Sequence, residues 1–451
     1  MASIDQYLRL FADCRPLIDG GSNAAMNARR DEAAHLLADK GLPTLRTERY
    51  RYCDVEQALR PDYGVNLNRH IPAADPYRTY RCGVPTLSTT ALRYVVNDSP
   101  APAAPAAPAL PEGLTICSLT EAADRCPALM ERYYHRAAAE GADSLAALNT
   151  MLAQDGLLVH VAAGVHIADP VQIVQVMAAT RPLMANRRLL VVAEAGATLP
   201  LLICDHATSP CDTLATHVTE VYAETGAHVS LYRVEETNAR HVRLANVYAH
   251  VGADATLCCH DVTLTCGLSR TTTDIVLAAP GAHVTADGAV VADGQQKADH
   301  NLLIDHRAPE CTSDLYYKYV LDDHATGAYA GRVLVRPGAQ HTQSDQTNAN
   351  MCAATTAHAW SQPMLEIYAD DVRCNHGSST GKLDDAALFY MQQRGIPEAE
   401  ARLLLRHAFI NDVLQRIALE PLRERLSHLV EKRFRGHMDA CGSCAMCSGK
   451  H

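Results

Sequence analysis

The chain has 451 residues, 48% of them apolar, and a formal net charge of −11. That length allows several domains or one elongated repeat body with appendages, while the acidic balance excludes a nucleic-acid partner, which needs clustered Lys and Arg. Sixteen cysteines in a long chain without a signal segment read as reduced thiols, which points to the cytoplasm.

The N-terminal stretch MASIDQYLRLFADCRPLIDG carries acidic residues early and no long apolar segment, so it is not a secretion signal. No run in the chain approaches bilayer-spanning length, so no membrane partner is expected. Residues 1–98 are expected to be mainly helical: Ala24–Leu37 is rich in helix formers, and Gly41 followed by Leu42-Pro43 supplies a stop. Residues 99–111, SPAPAAPAAPALP, read as an extended, semi-rigid surface linker. Residues 112–154 lead into the core, with a helix over Asp143–Leu152 ahead of a strand at Leu157–Val161.

The core is placed at residues 155–373 by weak repetition. Gly-Ala pairs open segments at Gly196, Gly226, Gly252 and Gly281, at steps of 30, 26 and 29 residues, and each leads into a strand-like run with period-two alternation. Gly327 and Gly338 continue the pattern less regularly. Units near thirty residues that cannot bury an apolar face alone imply stacked coils of a β-solenoid; a β-sandwich is the alternative. Cys204, His206, Cys211 and His217 lie within fourteen residues, but strand alternation scatters them. There, and at Cys258, Cys259 and His260, the reading is core thiols and surface histidines.

The stretch Leu365–Ile396 holds the strongest candidate site. Leu365, Ile367, Tyr368 and Val372 suit a strand, after which Cys374 and His376 fall on one side of an extended chain before a Gly/Ser-rich turn. A soft thiolate and an imidazole at that spacing can grip one metal ion. Asp384 and Asp385 follow at a helix N-terminus, and Gly395 ends that helix. Residues 374–436 are read as a C-terminal helical region: Ile410, Val413, Leu414 and Ile417 fall on one face, and Leu403, Leu404, Leu405 and Phe409 widen it. Pro421 restarts a helix carrying Leu422, Leu426, Leu429, Val430 and Phe434. The tail, 437–451, places Cys441, Cys444 and Cys447 in C-x2-C-x2-C spacing with His451 where a fourth ligand would stand, a signal for metal affinity.

Three stretches carry a family resemblance that spans the chain: LPTLRTERYRYCDV (42–55), SLAALNTMLAQDGLLVHVAAGVHIADPVQI (144–173) and LEIYADDVRCNHGSSTGKLDDAALFYMQQRGI (365–396). Together they resemble the SufB/SufD family of iron–sulfur cluster assembly scaffolds, and the C-x-H-G motif at 374–377 is similar to the SufD branch. The resemblance implies a mainly β fold, a right-handed parallel β-helix core flanked by N-terminal and C-terminal helical regions. It also implies a non-catalytic subunit that pairs with a SufB-like paralogue. Cys374 and His376 would sit at the shared junction, where transient iron or a nascent cluster is held, with no tightly bound cofactor in the isolated chain. A SufC-like ABC ATPase would dock on the C-terminal helices, for which Leu404, Phe409, Ile410, Val413, Leu414 and Ile417 are the candidates. An isolated chain can form a homodimer through the same edge.

Two other functions remain open on the residues alone. A β-helix polysaccharide lyase or hydrolase would use turn carboxylates such as Asp322, Asp323, Asp370 and Asp371, but one Trp and four Phe offer little platform for sugars. A free-standing metal carrier would rely on the Cys-rich tail. The GKLDD at Gly381 lacks the features of a P-loop, so ATP hydrolysis is assigned to a partner.

Overall fold

The computed structural model describes residues 3–69, 75–80 and 87–436. Its core is a parallel β-solenoid of about eight turns. Each turn gives one strand to each of two facing sheets, one of ten strands and one of nine, and strands two apart in sequence are neighbours in each sheet. The pairing is parallel and in phase over long runs, as in His241–Val251 against Thr213–Ala223. Side chains therefore stack in columns along the axis, and inward columns such as Val229, Leu257 and Val284 are fully buried. Each such residue contributes roughly 1.5–3 kcal/mol by leaving water.

The repeat that produces this stacking differs from the one visible as Gly-Ala pairs. At one corner of successive coils a residue in the left-handed region precedes a buried small residue: Gly196-Ala197, Gly226-Ala227, Asp254-Ala255, Gly281-Ala282, Glu310-Cys311 and His341-Thr342. The corner N–H groups of Gly196, Gly226 and Asp254 donate to Thr225, Ala253 and Pro280 of the following coil. The third corner is thus Asp254 and not Gly252, and Gly327 lies inside the strand Thr326–Val335 instead of at a turn.

The interior combines aliphatic columns with polar ones. Arg187 and Arg243 both bond Asp205, at 2.6 and 2.9 Å, and Arg233 bonds Asp261 at 2.6 Å, all inside the solenoid. The desolvation of both charges offsets much of the attraction in pairs of this kind, while removing one partner alone would cost about 3–5 kcal/mol.

Helices cover both outer faces. On the nine-stranded sheet, Leu37 of Arg30–Lys40 and Leu148 of Ser144–Leu152 pack toward Met184, Leu214 and Leu244. The expected helix over Ala24–Leu37 is broken into Ala24–Asn27 and Arg30–Lys40. The break turns Arg30 inward, where its guanidinium bonds the carbonyls of Thr150 and Met151 at the end of Ser144–Leu152. Asp143 caps that helix by accepting from Leu145 N at 2.8 Å and also accepts from Tyr50 Oη at 2.6 Å. Gly41 ends Arg30–Lys40 at φ 70°.

The two ends of the solenoid are built differently. At the start, Leu114–Ser118 pairs antiparallel with Leu157–Val161, and a short hairpin of Ala91–Val96 with Ser99–Pro100 closes the other sheet. At the far end, His358–Ile367 and Arg373–Gly381 are the outermost strands of their sheets, with no further strand beyond them among the described residues. Residues 374–381 consequently belong to the solenoid, and the helices begin only at Asp385. The expected Gly/Ser turn at 377–381 is strand, because its backbone pairs in register with Thr347–Met351 and that ladder overrides the weak strand preference of Gly and Ser.

Candidate functional site: the open terminal rung

Cys374 and His376 lie on Arg373–Gly381, opposite Ser344 and Gln346 of the preceding rung. Ser344 and Gln346 face the interior and are buried, so in-register partners on a parallel strand project to the same side. The thiol and the imidazole thus stand on the inward face of the solenoid at its open mouth. Cys374 is partly buried against the aliphatic core, and its thiol is held above the ordinary range by desolvation, with the Asp345 carboxylate adding to the effect. His376 is exposed. Across the mouth, Ser378 Oγ donates to Ser361 Oγ at 2.7 Å and ties the last strands of the two sheets together.

Two ligands do not complete a metal site. Among the described residues no cluster of three or more His, Cys, Asp or Glu is placed to hold an ion. Asp384 is committed elsewhere: its carboxylate accepts from Ala386 N and Ala387 N at 2.9 and 3.2 Å and caps the helix Asp385–Gln393. The tail residues Cys441, Cys444, Cys447 and His451 lie outside the described residues.

The same end gathers apolar surface that sequence reading did not single out. Trp360, Ile367 and Tyr368 of the last rung and Phe389 and Tyr390 of the helix after it are between 41% and 63% exposed, and these five are most of the large exposed apolar side chains among the described residues. Exposed apolar side chains on a terminal rung whose strand edges are unpaired among the described residues mark a contact face. Trp360 stacks on Tyr52 at 5.5 Å, and Tyr52 Oη donates to Gln362 Oε1 at 3.2 Å. The N-terminal segment 48–53 therefore straps the outer wall up to the last rung, with Arg49 paired to Asp274 on the way.

Of the residues expected to form the ATPase-docking face, most are internal. Ile410, Val413, Leu414 and Ile417 are essentially fully buried against Val262, Ala289, Val291 and Val320 of the ten-stranded sheet, and Phe409 is partly buried there. Only Leu404 of that set is exposed, at 40%. The wide apolar stripe is explained by the helices Glu398–Leu414 and Glu420–Phe434 packing on the solenoid as well as on each other.

The histidines expected at the surface of the strands are also internal. His206, His217 and His260 are buried, with His217 Nε2 3.7 Å from Asp205 and His260 Nδ1 3.2 Å from Asp287 and stacked on Tyr232. Outer-face residues of the strands are covered by the helical layers, and inner ones such as His217 meet the ion-paired part of the core. Cys204 and Cys259 are buried, as small apolar side chains would be. The turn carboxylates are engaged structurally: Asp322 pairs with Arg406 at 2.7 Å and Asp371 with His341 at 3.0 Å.

Fold and site together define the class: a parallel β-solenoid with helical layers on both outer faces and an open terminal rung that carries a thiol and an imidazole. Comparison with known proteins takes this further. Residues 175–409 match the SUF system FeS cluster assembly SufBD core domain, and residues 1–173 match the SufBD protein N-terminal region. The chain belongs to the SufBD family of iron–sulfur cluster assembly proteins. It is similar to an iron–sulfur cluster assembly SufBD family protein of Synechocystis, with 25% identity over 439 residues, 95% of this chain and 96% of that one. It is also similar to the iron–sulfur cluster assembly protein SufD of Bacillus subtilis, 23% identical over 76% of this chain and 79% of that protein. The SufD of Escherichia coli is 26% identical over 47% of this chain and 52% of its own length. Among the described residues no helix is long and apolar enough to cross a membrane.

Proposed function

We propose that this chain is a non-catalytic scaffold subunit in iron–sulfur cluster assembly and that its open rung is a seam with a SufB-like subunit. The observation that carries the reading is the last rung itself: two strand edges left unpaired among the described residues, exposed apolar side chains on that rung and on the helix that follows it, and two soft ligands on the inward face at the open mouth. A homologous solenoid end offers the complementary edge, because its strands continue the same ladder. The partner supplies the remaining ligands, and iron with sulfide is cargo held at the seam. A neutral imidazole binds Fe(II) more weakly than a thiolate, which suits a site that must release what it assembles. No resident cofactor is required in the isolated chain. In the absence of a second subunit, two copies of this chain can pair through the same edge.

A SufC-like ATPase docks on the solvent face of the C-terminal helices, where Leu404 is exposed, and the chain works in the cytoplasm, where its thiols remain reduced. The test is anaerobic co-expression with SufB-like and SufC-like chains. His376→Ala is expected to leave the three-component complex intact while iron per complex falls by at least about ten-fold, the scale of losing a metal ligand's support. Undiminished iron in that variant would remove His376 from the site, and failure of the wild-type chain to co-purify with a SufB-like subunit would sink the scaffold reading.

A further inference from the structure

The strand beneath the seam, Gln343–Cys352, turns Ser344, Gln346, Asn348 and Asn350 into the solenoid, and all four are buried. Three of them are satisfied within the protein. Ser344 Oγ meets Ser313 Oγ at 2.8 Å, Asn350 Nδ2 donates to Asn348 Oδ1 at 2.8 Å, and Asn348 Nδ2 donates to Tyr317 O at 3.2 Å. Gln346 differs. Tyr329 Oη donates to its Oε1 at 2.8 Å and clamps one end of the carboxamide, but its Nε2 is buried with no hydrogen-bond partner among the described residues. Leaving a buried donor unmatched costs roughly 1–3 kcal/mol, and replacing Gln346 by Leu would remove this unmatched donor while leaving the Tyr329 hydroxyl unmatched in its place.

The room for this clamped amide is specific. Gly331 lies against it, and a Cβ there would collide with both Gln346 Oε1 and the Tyr329 hydroxyl. Gln346 is also the in-register neighbour of His376, one rung of about 4.8 Å away, as Ser344 is of Cys374. A buried, clamped residue with an unmatched donor therefore lies one rung below His376 on the inward face.

We propose that Gln346 is a positioning residue for the seam, its amide N–H donating to the sulfur, thiolate or sulfide, that shares iron with His376. This rests on the seam role of His376 and Cys374. A hydrogen bond from a neutral amide stabilises anionic sulfur without adding a competing charge. Such bonds shift the potential of the iron they serve, and residues that orient or tune a metal's ligands affect its retention as well. The donor is unmatched in the free chain because its acceptor arrives with the cargo.

The experiment uses the full chain in complex with SufB-like and SufC-like subunits, reconstituted anaerobically with Fe(II) and sulfide and challenged with a chelator. Gln346→Leu is expected to preserve assembly and melting temperature, to hold iron about ten-fold less tightly, and to move both the visible absorption and the reduction potential of the cluster that forms. Gln346→Glu keeps the Tyr329 bond but replaces the donor by an acceptor; it is expected to lose iron in the same way while lowering the melting temperature, because it buries a carboxyl group without a cation beside it. Wild-type retention with an unchanged spectrum in Gln346→Leu overturns the proposal. If both variants fail to assemble, Gln346 is a packing residue and the proposal falls. If His376→Ala itself holds iron like the wild type, the seam assignment falls and this with it; loss in His376→Ala with no effect in either Gln346 variant overturns the positioning role alone.

Discussion

Leu414→Asp is expected to strip the C-terminal helices from the solenoid and to lower the unfolding midpoint sharply. Leu414 is completely buried between Glu398–Leu414, Glu420–Phe434 and the ten-stranded sheet. Removing its packing costs about 2–5 kcal/mol, and an unpaired carboxylate in the same place adds several more. That sum matches the whole stability of many domains, about 5–15 kcal/mol. The loss of an ATPase partner from such a variant would report unfolding and not docking. Leu404→Asp is the informative comparison: at 40% exposure it should change stability by less than about 0.5 kcal/mol while weakening capture of a SufC-like ATPase. Thermal unfolding of both variants beside pull-down separates the effects, and a stable, well-folded Leu414→Asp would contradict the packing described here.

Acid is expected to unfold the protein well before most carboxylates protonate. Burial, with nearby Arg188 helping, pushes His135 down to about 3; burial likewise pushes His241 to about 3, and His300 and His306 to about 4. A histidine whose folded pKa is depressed binds its proton more readily in the unfolded chain. Stability is therefore complete above about 6.5 and is lost as pH falls toward the folded values. At pH 5 each of the four costs about 2 kcal/mol. Asp98 works in the opposite sense. Burial raises it to about 6, so folding gains stability as pH falls through that value, but the gain at pH 5 is only about 1.4 kcal/mol. Glu235, Asp274 and Asp299 are also raised by burial and oppose the histidines further. Urea midpoints at pH 7.5, 6 and 5 should fall progressively, and a midpoint that is flat over that range would show that the histidines are not held neutral by burial.

The solenoid was legible because its inward columns impose period-two alternation inside a unit near thirty residues. The true phase was harder to read. Left-handed corners are taken by Asp254, Glu310 and His341 as readily as by Gly196, Gly226 and Gly281, because each corner is fixed by the coil stacked on it and not by its own preference. The same dominance of neighbours over local propensity made a strand of Gly377–Gly381. Cys374 and His376 were readable as a pair from their spacing, yet nothing local shows that their strand ends the solenoid or that Gln346 lies beneath them, since both depend on register between segments thirty residues apart. The apolar stripe of Ile410, Val413, Leu414 and Ile417 was correctly seen as a face; a sequence does not say whether such a face meets its own core or a partner. The buried histidines were misplaced for a related reason, because alternation assigns a side without saying that helices cover the outside and ion pairs fill part of the inside.

Amide hydrogen exchange of the free chain and of its complex with a SufB-like subunit tests the seam most directly. Among the described residues Arg373–Gly381 and His358–Ile367 have no strand beyond them, so their outward amides should exchange quickly in the free chain and become protected by at least about ten-fold on complex formation, the slowing of about 1.4 kcal/mol of added local stability. A complex that forms with both strands still exchanging at the free rate, and with protection elsewhere, would place the partner away from Cys374 and His376 and contradict the account.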